Sequence, residues 1–149
     1  MGKAQLEELE KHGRYFSVPQ GVSMMPMIHN KKGIVEVRKL EGEAKRYDLV
    51  LYIRGAEQGV IHRVLRVRKK DYVIAGDNCW QKETVPKEKV VGIVRSFFRG
   101  GKWYDVSDKG YQLYAHVWTD LFCLRRPVFY ARDKIQAAVR RLRRKALNR

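Results

Sequence analysis

The sequence predicts a mainly β protein: a core of short strands and tight turns with a short N-terminal helix before it and basic C-terminal α-helices after it. Three observations predict this. Between residues 15 and 106, short runs alternate apolar and polar residues with the period of half-buried strands. Tight polar or glycine-bearing turns separate those runs. Beyond residue 110 the alternation gives way to apolar residues at helical spacing. The chain therefore divides into an N-terminal helix (1–14), a β core (15–106) and an aromatic, basic helical tail (107–149).

Residues 3–12 read as a helix that Gly13 ends. Tyr15 to Val18 is extended, and Pro19 follows it. His29 to Gly33 is a polar turn, and Ile34 to Leu40 alternates apolar with charged residues as a strand does. Asp48 to Ile53 is an apolar strand, Gly55 to Gly59 a turn, and Val60 to Val67 an alternating strand. Within that last strand Ile61, Arg63, Leu65 and Val67 share one face, and Val60, His62, Val64 and Arg66 the other. Tyr72 to Ala75 is a strand stopped by Gly76-Asp77-Asn78. Lys89 to Phe98 is another, which Arg99-Gly100-Gly101-Lys102 turns into Trp103 to Val106. Tyr111 to Leu124 is helical, and Pro127 breaks it or starts the next helix. In that next helix Ile135, Val139, Leu142 and Ala146 form an apolar stripe among basic residues.

A length of 149 residues suits one domain with a real core. The formal net charge of +16 implies attraction to something anionic, and +9 of it lies in residues 125–149. Cys79 and Cys123 make neither a metal spacing nor a disulfide framework. No apolar run is long enough to span a bilayer, and the N-terminus lacks the apolar core of an export signal. The expected location is the cytoplasm, peripheral to a membrane.

The segment Gly21-Val22-Ser23-Met24-Met25-Pro26-Met27-Ile28 sets one small hydroxyl inside an apolar run. Gly21 lets backbone approach closely, and Pro26 fixes the exit from the turn. Such a device holds a hydroxyl exposed at a cleft; a Met-rich core segment with an incidental serine is the plainer alternative. A serine needs a base to take its proton. Of His12, His29, His62 and His116, only His62 lies inside a strand. Its place lets it point into a cleft while Arg63 props the opposite face; a half-buried strand histidine with a satisfied ring is the plainer alternative. Asp77, in a Gly-Asp-Asn turn, orients the base or braces the site; Glu83 is a second candidate.

The order of these pieces resembles that of the type I signal peptidases and the related LexA-type serine peptidases, over roughly residues 15–95. The resemblance implies Ser23 as nucleophile and His62 as base, in the histidine-bearing subtype found in archaea and the endoplasmic reticulum, here a small form without a membrane anchor. It implies a signal-peptidase-like coiled antiparallel β-sheet core, with Asp77 and then Glu83 completing the site. Gly76, Asn78 and Arg63 support it, and Gly21, Met24 and Pro26 lie along the bound peptide. The box departs from the family pattern after Asn78, continuing Cys79-Trp80-Gln81-Lys82-Glu83. Gly21 stands where many bacterial members carry an oxyanion-binding hydroxyl, so backbone N–H groups, Ser23's first, take that role.

The expected function is cleavage of a signal- or leader-like peptide by Ser-His acyl transfer, with no metal or organic cofactor. The expected partners are a peptide or precursor-protein substrate and an anionic membrane surface met by residues 125–149. Tyr111, Tyr114, Trp118, Phe122, Phe129 and Tyr130 suit such an interface; the alternative packs the apolar stripe of the tail on the β core. Nucleic acid is not expected, since no recognition helix or RNA-reading strand is present. A self-cleaving regulator, which uses lysine as base behind a longer leading domain, is an alternative, as is a non-catalytic basic module on a peptidase fold.

Overall fold

A computed structural model describes residues 3–55 and 58–147. Met1 and Gly2, Ala56 and Glu57 of the turn expected over 55–59, and Asn148 and Arg149 of the tail lie outside the described residues. The chain runs α1 (Lys3–His12), β1 (Arg14–Ser17), β2 (Ile34–Lys39), β3 (Leu49–Arg54), β4 (Gln58–Val67), β5 (Asp71–Ala75), β6 (Glu83–Pro86), β7 (Val90–Arg99), β8 (Lys102–Asp105), α2 (Lys109–Asp120) and α3 (Phe122–Leu147). The strands form one antiparallel sheet in the order β1-β2-β7-β3-β4-β5-β6, with β8 also on β7. The sheet curls into a half-barrel, so the protein is mainly β with a short leading helix and two trailing ones.

The central strands are buried on both faces, and the two-residue period sorts their side chains. Leu49 and Leu51 of β3 enter one core with Val35, Val37, Val94, Phe97 and Leu9 of α1. Val50 and Tyr52 enter the other with Val64, Tyr72, Ile74 and Val85. Each such side chain withdrawn from water contributes about 1.5–3 kcal/mol. Local signals agree with the packing at the ends. Gly13 closes α1 with φ +69° and its N–H on the Leu9 carbonyl. Gly100 and Gly101 take φ +57° and +87° in the two-residue β7–β8 turn.

Four expectations change. Glu83–Pro86 is a strand, paired antiparallel with β5 and followed by a 3-10 turn at Lys87–Lys89. Four residues that end in proline carry too little alternation to announce a strand. The helical tail breaks at Leu121, and Pro127 sits inside α3 rather than at its start. Most of the aromatic residues assigned to an interface turn inward. Tyr111 and Phe122 are buried, and Tyr114, Trp118 and Phe129 are half-buried. Only Tyr130 of that set is exposed. Conversely, Ile135, Val139 and Leu142 are exposed, so the stripe of α3 does not pack on the β core. The tail is anchored by the buried Tyr111, Ala115 and Thr119 of α2, four residues apart, and by Phe122 of α3, which is buried with Leu65 and Ala75.

Candidate active site

Ser23 lies in a tight turn whose two flanks are held differently. On the downstream side the Met25 and Ile28 N–H groups donate to the Val22 and Met24 carbonyls, which seats Met24 and Ile28 in the core. The Met25–Pro26 peptide is cis, and Pro26 is exposed. On the upstream side Gly21 has φ +106°, and its N–H donates to Asn30 Oδ1 at 2.9 Å. A Cβ on Gly21 would touch nothing within 4 Å, so glycine serves the backbone angle there, not a close approach.

The close approach occurs at Gly76. A Cβ there would lie 2.6 Å from the Ser23 carbonyl oxygen and 3.0 Å from Ser23 Cβ. The rest of the Gly-Asp-Asn box grips the same turn. The Asn78 N–H donates to the Ser23 carbonyl at 2.7 Å, and Asn78 Nδ2 to the Val22 carbonyl at 3.1 Å. Two motifs more than fifty residues apart are thus locked through backbone, and Ser23 is carried to the end of β5. Since Ala75 of β5 pairs with Arg63 of β4, this end of β5 also adjoins His62.

His62 is 5 % exposed and has a carboxylate partner, Glu83, whose Oε1 lies 3.1 Å from Nδ1. Glu83 is itself held. The Tyr52 hydroxyl donates to Oε2 at 2.9 Å, and Arg54 contacts the same oxygen at 2.6 Å while also donating to the Tyr52 hydroxyl at 2.8 Å. Burial pushes the imidazole below its ordinary pKa; Glu83 pulls the other way, and Arg54 adds to the lowering. The ring is therefore neutral at pH 7. With its Nδ1–H on Glu83, the Nε2 lone pair is free to accept a proton.

Asp77 does not orient His62. Its carboxylate takes both branches of Arg63, Nε at 2.8 Å and Nη2 at 2.6 Å, and the Tyr114 hydroxyl at 3.1 Å. Arg63 and Asp77 are wholly buried. Burial works against the Arg63 charge, but Asp77 more than offsets it and the guanidinium stays charged. Arg63 also donates to the Tyr47 carbonyl and the Tyr111 hydroxyl. Of the two roles expected for Asp77, the geometry supports the brace; the carboxylate facing the imidazole is Glu83.

Ser23, His62, Glu83, Gly21 and Met24 line one open groove of about 490 Å³, together with Cys79, Gln81 and two stretches of backbone. Pro26 lies outside it, on the exposed side of the turn. No hydrogen bond joins the Ser23 hydroxyl to His62 within the groove. Among the described residues, none accepts the Ser23 N–H. The two backbone stretches are residues 17–21, following the edge strand β1, and 58–61 of β4. The latter pair with β3 on one side, while β5 pairs with β4 only from Arg63 onward. The other histidines serve elsewhere: His12 is exposed on α1, His116 stacks on Tyr47 at 3.8 Å, and His29 lies beside Gly33.

Sequence reasoning missed Tyr52 and Arg54, which hold Glu83. Their signal is parity: Tyr52 and Arg54 alternate on β3, and Tyr52 lies diagonally across from His62 on β4. It also missed the clamp behind the box. Trp118 Nε1 and Arg125 donate to the Asp77 carbonyl at 2.8 and 2.7 Å, and Arg132 donates to the Asn78 carbonyl at 3.0 Å. No family model matches this chain, and no curated protein or solved structure is significantly similar to it. The chemistry of the groove is therefore what the functional reading rests on.

Proposed function

We propose that the protein is a serine endopeptidase of the signal-peptidase type, with Ser23 as nucleophile, His62 as general base and Glu83 as the carboxylate that orients it. One observation carries the reading. A neutral, buried imidazole with its Nδ1 on a clamped carboxylate opens onto the same groove as a serine held by a separate backbone lock. A core histidine needs one hydrogen bond, and a core serine needs no dedicated lock.

The chemistry follows from the atoms. His62 Nε2 takes the Ser23 hydroxyl proton as Oγ attacks the peptide carbonyl. The Ser23 N–H donates to the oxyanion that forms. The protonated imidazole, stabilised by Glu83, gives its proton to the leaving amine as the C–N bond breaks. Water, deprotonated by the same nitrogen, then releases the acyl group and regenerates the hydroxyl. The edge of β4 at 58–61 that no strand pairs suits an extended peptide that adds beside it, within the groove that residues 17–21 also line. A self-cleaving regulator is disfavoured, because the base facing the groove is a histidine and not a lysine.

The test is cleavage of short peptides carrying Ala-x-Ala before the cut. Ser23→Ala and His62→Ala are each expected to lower kcat/KM by about 10⁴-fold or more, with the fold intact by circular dichroism. Equal cleavage by all three proteins ends the proposal.

A further inference from the structure

Leu147 apart, the exposed aliphatic residues of the tail are not scattered. On α2, Leu113 and Val117 are exposed, followed by Leu121 at the break. On α3, Leu124, Val128, Ile135, Val139 and Leu142 continue in steps of three, four or seven. That spacing keeps one face of each helix, so the residues form an aliphatic stripe along α2 and along α3. Beyond Asp133 every described residue of α3 is exposed, with Ile135 at 64 % and Leu142 at 66 %, so the second half of the helix stands off the protein. At 26 residues α3 is about 39 Å long.

The rest of that helix is cationic. Arg126, Lys134, Arg140, Arg141, Arg144 and Lys145 lie on faces away from the stripe. Asp133 is the helix's single acid, and Arg132 neutralises it at 2.8 Å. We infer that the α2–α3 stripe docks in the plane of an anionic lipid bilayer, aliphatic face in the acyl boundary and arginines among the headgroups. An amphipathic helix with an aliphatic stripe and basic flanks has the physical form of an interfacial helix. No described helix is long and apolar enough to cross a membrane, so the mode is lying on the surface. A second copy of the chain is the poorer occupant, because it would bring two strongly positive helices together. Duplex nucleic acid would use the arginines and leave the aliphatic stripe in water. Arg125 and Arg132, which join α3 to the Asp77-Asn78 turn, hold the helix base in a fixed place on the sheet domain.

This inference is independent of the hydrolytic reading, and its test measures no cleavage. The whole protein is cosedimented with vesicles of phosphatidylcholine containing about 30 % phosphatidylglycerol, and with phosphatidylcholine alone. Binding to the anionic vesicles is expected, at least tenfold tighter than to the neutral ones. The double variant Ile135→Glu/Leu142→Glu is expected to lose at least tenfold. Arg140→Gln/Arg144→Gln is expected to weaken binding and flatten its salt dependence. These positions stand off the core, so folding survives, which circular dichroism checks. Failure to bind overturns the inference, as does binding that Ile135→Glu/Leu142→Glu leaves unchanged. A dimer that the same double variant dissociates without vesicles, or tighter binding to a duplex oligonucleotide than to the vesicles, overturns it in favour of those partners.

Discussion

Two charge pairs start from neighbouring residues of β4 and have opposite characters. His62 meets Glu83 at the lip of a groove, with the carboxylate about one-third exposed. Arg63 meets Asp77 inside the protein, where neither side chain sees water. Successive strand residues point to opposite faces, so one step along the chain separates a pair that can exchange protons with a ligand from one that cannot. Among the described residues, the side chains of the buried pair carry five hydrogen bonds: two between its members, and one each to the Tyr47 carbonyl and to the Tyr111 and Tyr114 hydroxyls. Full satisfaction of this kind is what keeps a charge inside a protein. The groove pair needs less, and its one titratable base stays neutral.

The largest way to break that symmetry is at the buried member. Asp77→Ala leaves the Arg63 guanidinium inside without a counter-charge, which costs about 3–5 kcal/mol. Denaturant unfolding should show the loss directly. The matching change at the groove, Glu83→Gln, should move stability by less than about 1 kcal/mol, because that carboxylate is half-wet and screened. Equal destabilisation by the two changes would mean that the pairs share one structural role.

Which carboxylate serves which partner was not legible in the sequence, and the reason is parity. His62 and Arg63 were readable as opposed residues of one strand. Asp77, in the Gly-Asp-Asn turn at a strand end, is readable either as the residue that orients the base or as a brace. Cross-strand partners share a face, however. Arg63 pairs with Ala75, and Asp77 continues the parity of Ala75, so it falls on the arginine's side. Val64 and Ile74 pair on the other face, and Ile74 pairs in turn with Glu83, so Glu83 falls with His62. Seeing this needs the register and the strand β6, and β6 is too short to announce itself. Elements punctuated by glycine, such as α1 at Gly13 and the β7–β8 turn, were readable because the backbone angle there requires that residue. The inward turn of the tail aromatics was not readable, since a tyrosine at helical spacing suits a core or an interface equally.

Within the groove, Glu83→Gln separates orientation from charge. Kcat/KM should fall on the order of 10²-fold. Glu83 is the main influence holding the imidazole pKa up against burial, and Arg54 already lowers it. Removing the carboxylate leaves burial and Arg54 opposed only by the weaker pull of Asp77, so the imidazole loses its proton at still lower pH. The acid limb of the pH–rate profile, already expected below pH 6.5 in the parent protein, should therefore move further toward acid. A fall in rate with the limb unmoved would mean that Glu83 only shapes the groove.

Tyr52→Phe should have the smallest effect, and its size tests how the groove pair is held. The phenol donates to Glu83 at 2.9 Å, accepts from Arg54 at 2.8 Å and lies 3.5 Å from His62 Nδ1. Removing it deletes a bond to each charged group and orphans neither. Arg54 keeps both Glu83 oxygens, and His62 keeps the nearer one. A hydrogen bond lost without a stranded partner costs about 0.5–1.5 kcal/mol, so kcat/KM should fall by no more than about tenfold. The limb of the pH profile should hardly shift, since the charges around the ring are unchanged. A loss as large as that of Glu83→Gln would make the phenol, and not the carboxylate, the group that fixes the imidazole, and the likeness between the two β4 pairs would then end at geometry.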